Sequence, residues 1–376
     1  MIYSDAKPRF SAIAAGTVCL DIFPGLASVK VTDFERDFMP GRVVETDATV
    51  FSTGGSVSNT GLALVRLGVK TRLIGKIGRD PFGEIVSDFY RKSGESLTDG
   101  LQTDPDLMTS HSFVISPSGE DRRFIHHPGA NDAFKAEDIP DKDLSCAGIL
   151  HFGYPQAMRS MMVDDSRELE KIYRNAKKYD VTTSMDTAMV DRARLSGQID
   201  WRGVFRRTLP SVDLFLPSFE EILFMLDRER FESARFGRDL IESADDGLLD
   251  TLSAELLDMG AAIVMIKLGH RGLYLRTASR DRLTRMGRAV PESLDLWENR
   301  ILKQPAFKVK IAGTTGAGDT CIAGFIAAFL RGLPPEDAAK VASAAAASCC
   351  EKPDALSGVQ SWDQICERIN QGWETL

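Results

Sequence analysis

In the second half of the chain, short apolar runs alternate with a longer stretch of helical periodicity. Ile149-Leu150-His151-Phe152, Val181 to Met185, Val212 to Leu216 and Ile263 to Leu268 are each too short for a helix and are bounded by polar residues or glycine. Such runs predict strands. Ser166 to Tyr179, between the first two, has the helical period, and Pro217 to Glu221 opens another helix after the third. Strand, helix, strand is the order of a parallel sheet with crossover helices. The pattern predicts an α/β fold, a mostly parallel central sheet flanked by helices.

The first half reads differently. Phe10 to Cys19 is an apolar run that predicts a buried first strand, with Asp21 just beyond its end. From Leu26 to Ser52, Val29, Val31, Val43, Val44 and Val50 are interleaved with polar residues and predict short, half-exposed strands. Ser52 to Gly68 opens on Gly54-Gly55 and continues as a helix whose apolar face is Leu62, Leu64, Val65 and Leu67. His111 to Ile125 holds two alternating pieces around Ser116-Pro117-Ser118-Gly119-Glu120, a hairpin signal. Segments at about 24–52 and 109–128 together predict a small sheet, inserted as a lid in a single unit spanning 1–376. Asp227 to Asp250 and Thr277 to Gln304 are charged and predict solvated helices or loops, and Pro335 to Cys350 predicts an alanine-rich helix.

With 376 residues, such a chain can bury a substantial core. Its net charge of -8, without a lysine or arginine block, argues against nucleic acid and anionic membrane as partners. The start of the chain, MIYSDAKPRF, lacks a cationic and then apolar signal pattern, and no apolar run is long enough to span a bilayer. The six cysteines show no C-x-x-C spacing and read as reduced, mostly buried side chains, so a cytoplasmic location is expected.

The densest chemistry is GTTGAGDT at 313 to 320, followed by the apolar stretch Thr320 to Leu330. A glycine-rich turn feeding a buried helix places unpaired N–H groups and the positive end of the dipole at one point, a cradle for a phosphate or an oxyanion. Asp319 beside that cradle would repel a resting phosphate, and its natural task is to take a proton from a hydroxyl. A Walker A loop would need lysine where Asp319 stands, and a dinucleotide fingerprint would need glycine where Cys321 stands.

Thr314 to Phe325 resembles the phosphoryl-acceptor signature of the ribokinase-like (PfkB) carbohydrate kinases. The resemblance implies that Asp319 is the base toward the acceptor hydroxyl and that the amides of Gly316, Ala317 and Gly318 receive the transferring phosphoryl group. Gly54, Gly55 and Asn59, before a helix ending Arg66-Leu67-Gly68, resemble the other family signature, which Leu73 to Gly83 continues. The family implies ATP and Mg²⁺, with Asp21, Gly54, Gly55, Asn59 and Asn131 binding the sugar. It also implies that Ser218, Glu221, Lys267, Gly269, Gly272 and Thr315 bind the nucleotide, with Glu221 reaching Mg²⁺ through water.

Read as residues alone, Asp21 is equally a turn or cap residue and Asn59 a helix-start cap. The pair His126-His127, after Arg122 and Arg123, reads as a polar strand end rather than a metal site. The sequence departs from the family at Ser218, where asparagine is usual, and at Gly313, where an aspartate lines a monovalent-cation site, so potassium activation is not expected. Ser56, Val57 and Ser58 replace the lysine that holds a phosphosugar, which favours a small neutral sugar as acceptor. A nucleoside kinase of the same fold and a ligand-sensing homologue are the alternatives, and a homodimer through the lid is the assembly the resemblance allows.

Overall fold

The computed structural model describes residues 7–26, 28–118, 123–234 and 240–376. Parts of the segments read above, residues 1–6, Gly119, Glu120 and Arg122 among them, lie outside the described residues. In chain order the strands are β1 (Ala12–Gly16), β2 (Cys19–Gly25), β3 (Asp47–Gly54), β4 (Thr71–Gly78), β5 (Leu101–Asp104), β6 (His111–Ile115) and β7 (Arg123–His127). They continue with β8 (Ile149–Gly153), β9 (Thr182–Asp186), β10 (Leu214–Phe215), β11 (Ile263–Lys267), β12 (Leu273–Thr277) and β13 (Ile301–Gln304).

Nine of these form one sheet in the order β13-β12-β11-β10-β9-β8-β1-β4-β5. From β5 to β11 every pairing is parallel, with Ala12 opposite Ile149 and Ile149 opposite Thr182, whereas β12 and β13 run antiparallel. Its central strands are apolar throughout because both faces are covered. Ile13, Leu150 and Ile266 point to one core, shared with helices Arg167–Lys178, Trp201–Thr208 and Phe219–Leu226. Their neighbours Ala12, Ile149 and Met265 point to the other, against helices Ala317–Phe329 and Pro335–Cys350.

The other four strands form a small sheet, β3-β2-β6-β7, outside this core. Three expectations are corrected here. The run from Phe10 to Cys19 is not one strand: it breaks at Thr17-Val18, and its two halves join different sheets, so Asp21 sits within the small sheet on β2. That sheet therefore begins at Cys19 rather than near residue 24. Of the valines between 26 and 52, Val31 starts a helix, Val31–Asp37, and Val50 belongs to the long strand β3.

The charged stretch 277–304 is also more than a solvated loop. It carries β13, and Leu283, Met286, Ala289 and Trp297 are buried against the main sheet. Among the described residues no helix is long and apolar enough to cross a membrane.

Candidate active site

Parallel strands collect their C-terminal ends along one edge, where open α/β sheets bind ligands. Here the ends of β8, β9 and β11 bring Tyr154, Asp186 and Lys267 together with the turn before Ala317–Phe329. Gly316 makes that turn in the left-handed region, at φ 74°, and a Cβ on it would lie 2.5 Å from Cβ of Ala355. Only glycine fits. The N–H groups of Gly318 and Asp319 fall in the first helical turn and have no intrahelical acceptor, while Ala317 N–H donates to the Thr314 carbonyl at 3.3 Å. Thr315 Oγ1, buried beside them, has no hydrogen-bond partner among the described residues.

Asp319 is buried at 4% exposure and is held by three donors. Tyr154 OH donates to Oδ2 at 2.7 Å, Asn59 Nδ2 to the same oxygen at 3.1 Å, and Thr60 Oγ1 to Oδ1 at 3.0 Å. Burial pushes the Asp319 carboxyl above its ordinary range, while Tyr154, Lys267, Asn59 and Thr60 pull it back. A carboxylate so fixed has one orientation and retains lone pairs for a further donor.

Lys267 Nζ lies 2.7 Å from Asp186 Oδ1, and a side chain at Gly318 would touch it at 3.7 Å. Its ammonium thus adjoins the glycine-rich turn. Burial opposes the charge on Lys267, but Asp186, Glu221 and Asp319 outweigh it and raise its pKa. Asp186 is driven well above the usual carboxylate range by burial, with Lys267 opposing and Glu221 and Asp319 adding to the shift. Three carboxylates, the buried Asp186 and Asp319 and the half-buried Glu221, face one ammonium, so the cluster is short of positive charge.

Glu221 caps its own helix: Oε2 accepts from Ser218 N–H at 2.9 Å and from Thr187 Oγ1 at 2.9 Å. Burial raises its pKa, with Lys267 the largest opposing influence. Among the described residues no three His, Cys, Asp or Glu side chains form a metal site. Gly269 and Gly272, both at positive φ, form the turn between β11 and β12.

Asp21 on β2 pairs with Ser52 on β3, and its carboxylate leans over Gly54, where a Cβ would lie 2.3 Å from Asp21 Oδ2. Gly55, at φ 84°, turns the chain into the wide helical turn Val57–Gly61 that carries Asn59 and Thr60 to Asp319. Asn59 Oδ1 is buried without a hydrogen-bond partner among the described residues, an acceptor left open beside Asp319.

Asn131, expected to line the sugar pocket, accepts from Val18 N–H at 3.1 Å and donates to the Val18 carbonyl at 3.0 Å. Its amide braces the link between the two sheets. The sequence reading missed Tyr154, Asp186, Thr60 and Thr187. Asp186 had a signal, an acid ending a predicted strand, but Tyr154 had none: it follows β8 in the left-handed region at φ 64°, where no motif marks it.

A family description, pfkB family carbohydrate kinase, matches residues 22–362. The chain is 26% identical over 373 residues to a 5-dehydro-2-deoxygluconokinase of Clostridium perfringens, covering 95% of this chain and 94% of that one. It is 23% identical over 335 residues to a 2-dehydro-3-deoxygluconokinase of Bacillus subtilis, covering 86% and 89%. A structure of Arabidopsis thaliana ribokinase complexed with ribose and ATP superposes with a TM-score of 0.69 at 18% identity, over 95% of this chain and 98% of that one. The two sheets are thus arranged in the ribokinase-like fold. This chain belongs to the PfkB family of carbohydrate kinases.

Proposed function

We propose that this kinase transfers the γ-phosphoryl group of ATP to a hydroxyl of a small sugar, with Asp319 as the base. The observation that carries the reading is a carboxylate held by Tyr154, Asn59 and Thr60 in the same helical turn as the free amide of Gly318. Bound ATP with Mg²⁺ supplies the phosphoryl group and partial neutralisation of its charge. The chain's own residues do the rest. Asp319 accepts the proton from the attacking hydroxyl, late, as the alcohol acidifies. Gly318 N–H and the Lys267 ammonium stabilise negative charge on the group in transfer. Asp21 and the open Oδ1 of Asn59 orient the polyol.

Ser56 Oγ donates to the Gly153 carbonyl and Ser58 Oγ shares a hydrogen bond with the Tyr90 hydroxyl, so the Gly54-Gly55 loop offers no cation to a substrate phosphate. An acceptor without a phosphate fits this loop. Gly313 lies against Pro353, whose carbonyl would be 2.8 Å from a Cβ, so no step is assigned to a potassium ion held by an aspartate there.

Asp319→Asn is the decisive variant. It keeps the shape of the site and removes the base, and turnover measured by ADP release across sugars and nucleosides should fall by about 10²-fold or more. A near-normal rate would remove Asp319 from the mechanism, and preference for a nucleoside would redirect the acceptor.

A further inference from the structure

A cavity of about 470 Å³ lies between β7 of the small sheet and the segments that follow β8 and β9. Phe124 and His126 line it from the sheet, and Gln156, Arg159, Met189 and Arg194 from the main body. It adjoins the acceptor side by two routes. Gln156 is two residues beyond Tyr154, which holds Asp319. His126 shares a hydrogen bond with Ser112, which pairs across the small sheet with Asp21.

The polar groups of this cavity are incompletely used. Gln156 is buried at 5% exposure, its Nε2 donates to the Ala188 carbonyl, and its Oε1 has no hydrogen-bond partner among the described residues. A buried acceptor left open costs stability unless a donor arrives. Arg194 pairs with Asp191 at 2.9 Å, whereas no ion-pair partner of the Arg159 guanidinium occurs among the described residues. Asp132, the other acid in the lining, has its Oδ1 on the backbone N–H of Arg159 at 2.8 Å. His126, on the exposed strand β7, adds no firm charge, since desolvation where it faces the cavity and then the charge of Arg194 lower its pKa.

We infer that this cavity is an acceptor subsite for a carboxylate, and that the substrate is a polyhydroxy acid rather than a neutral sugar. Arg159 takes the carboxylate, where a planar guanidinium can donate two hydrogen bonds to its two oxygens. Gln156 Oε1 takes a hydroxyl along the same chain. The inference rests on the kinase reading above and narrows its substrate class. It also agrees with the names of two relatives, both kinases of deoxygluconates.

The test compares 2-dehydro-3-deoxygluconate and 5-dehydro-2-deoxygluconate with fructose and ribose, by ADP release and by calorimetric binding. Wild type, Arg159→Gln and Arg159→Lys are measured. Wild type should prefer an acid by about 10²-fold in kcat/KM. In Arg159→Gln that preference should collapse, with the rise in KM for the acid, about 10- to 100-fold, exceeding any fall in kcat, and lysine should restore part of it. Turnover that is equal on acids and neutral sugars, or unaffected by Arg159→Gln, overturns the subsite and leaves the kinase reading intact. Acid binding that needs Arg159 without turnover of any acceptor supports the subsite and overturns the kinase reading. If neither acid is bound or turned over, the inference is overturned.

Discussion

Asp319 is set between opposing influences, and that balance predicts how the enzyme responds to acid. Burial raises its pKa, so the protonated form, which cannot act in the proposed role, persists to higher pH than for a free carboxylate. The acidic limb of kcat/KM should therefore lie above the ordinary aspartate range. Tyr154 is the strongest influence in the other direction, because its hydroxyl donates a stronger hydrogen bond to the charged form. Tyr154→Phe removes that donor, so the limb should move further toward neutral pH, with a loss of roughly tenfold or less at its plateau. A pH–rate profile of the variant superimposing on the wild type would show that ionisation of Asp319 does not govern the rate. Motif reading found Asp319, Asn59 and the glycines because their chemistry is local: a turn that only glycine can make, followed by an acid. It did not find Tyr154, whose role depends on a strand brought beside Asp319 by the fold alone, nor the clamp of Asn131 on Val18, a partner equally remote in sequence.

Buried acids at the two ends of β10 separate scaffold from site at the level of the element. At its N-terminal end Asp213 is fully buried and satisfied by Lys177, by Arg282 at 3.1 Å and by Thr183 N–H at 2.9 Å. At the other end Asp186 has one cation, Lys267, reaching from β11 across β10, which is only two residues long. Lys267→Met would leave a buried carboxylate without its partner and should cost about 3–5 kcal/mol of folding free energy at neutral pH. The sign with pH follows from linkage. In the variant Asp186 is pushed further up, so the folded chain prefers it protonated, and the penalty shrinks as pH falls toward the carboxylate range. The double variant Lys267→Met, Asp186→Asn should recover most of the loss in urea unfolding. Equal losses in single and double variants would mean that the pair is not coupled. The strand-helix grammar made β8 to β11 legible, but β12 and β13 reverse direction, and β13 was hidden because it is an edge strand with alternating exposed positions in a charged segment.

The whole molecule is two sheets joined by short links, and the links decide what can move. Thr17-Val18 connects β1 to β2, clamped by Asn131, and Gly54-Gly55 returns the chain to the main body with Gly55 packed on the Thr17 carbonyl. With the other two links, 105–110 and 128 onward, held there by Leu20 N–H on the Ser110 carbonyl at 2.9 Å and Ala130 N–H on the Met108 carbonyl at 2.8 Å, all four crossings meet at one end of the small sheet, a narrow hinge next to Asp21 and Asp319. Its far strand β7 is exposed along its length, with Phe124 at 59% and Ile125 at 61%. Exposed apolar area on a hinged sheet gains free energy by closing over a ligand, at about 25 cal/mol per Å² covered. Closure would also exclude water from the phosphoryl group. Adding the acceptor should therefore slow amide exchange in β7 and β6, lower the radius of gyration in solution scattering, and suppress hydrolysis of ATP by water. Phe124→Ala should weaken all three responses without touching the hinge. If exchange, radius and hydrolysis are the same with and without an acceptor that is turned over, the small sheet is a fixed wall of the site and not a lid.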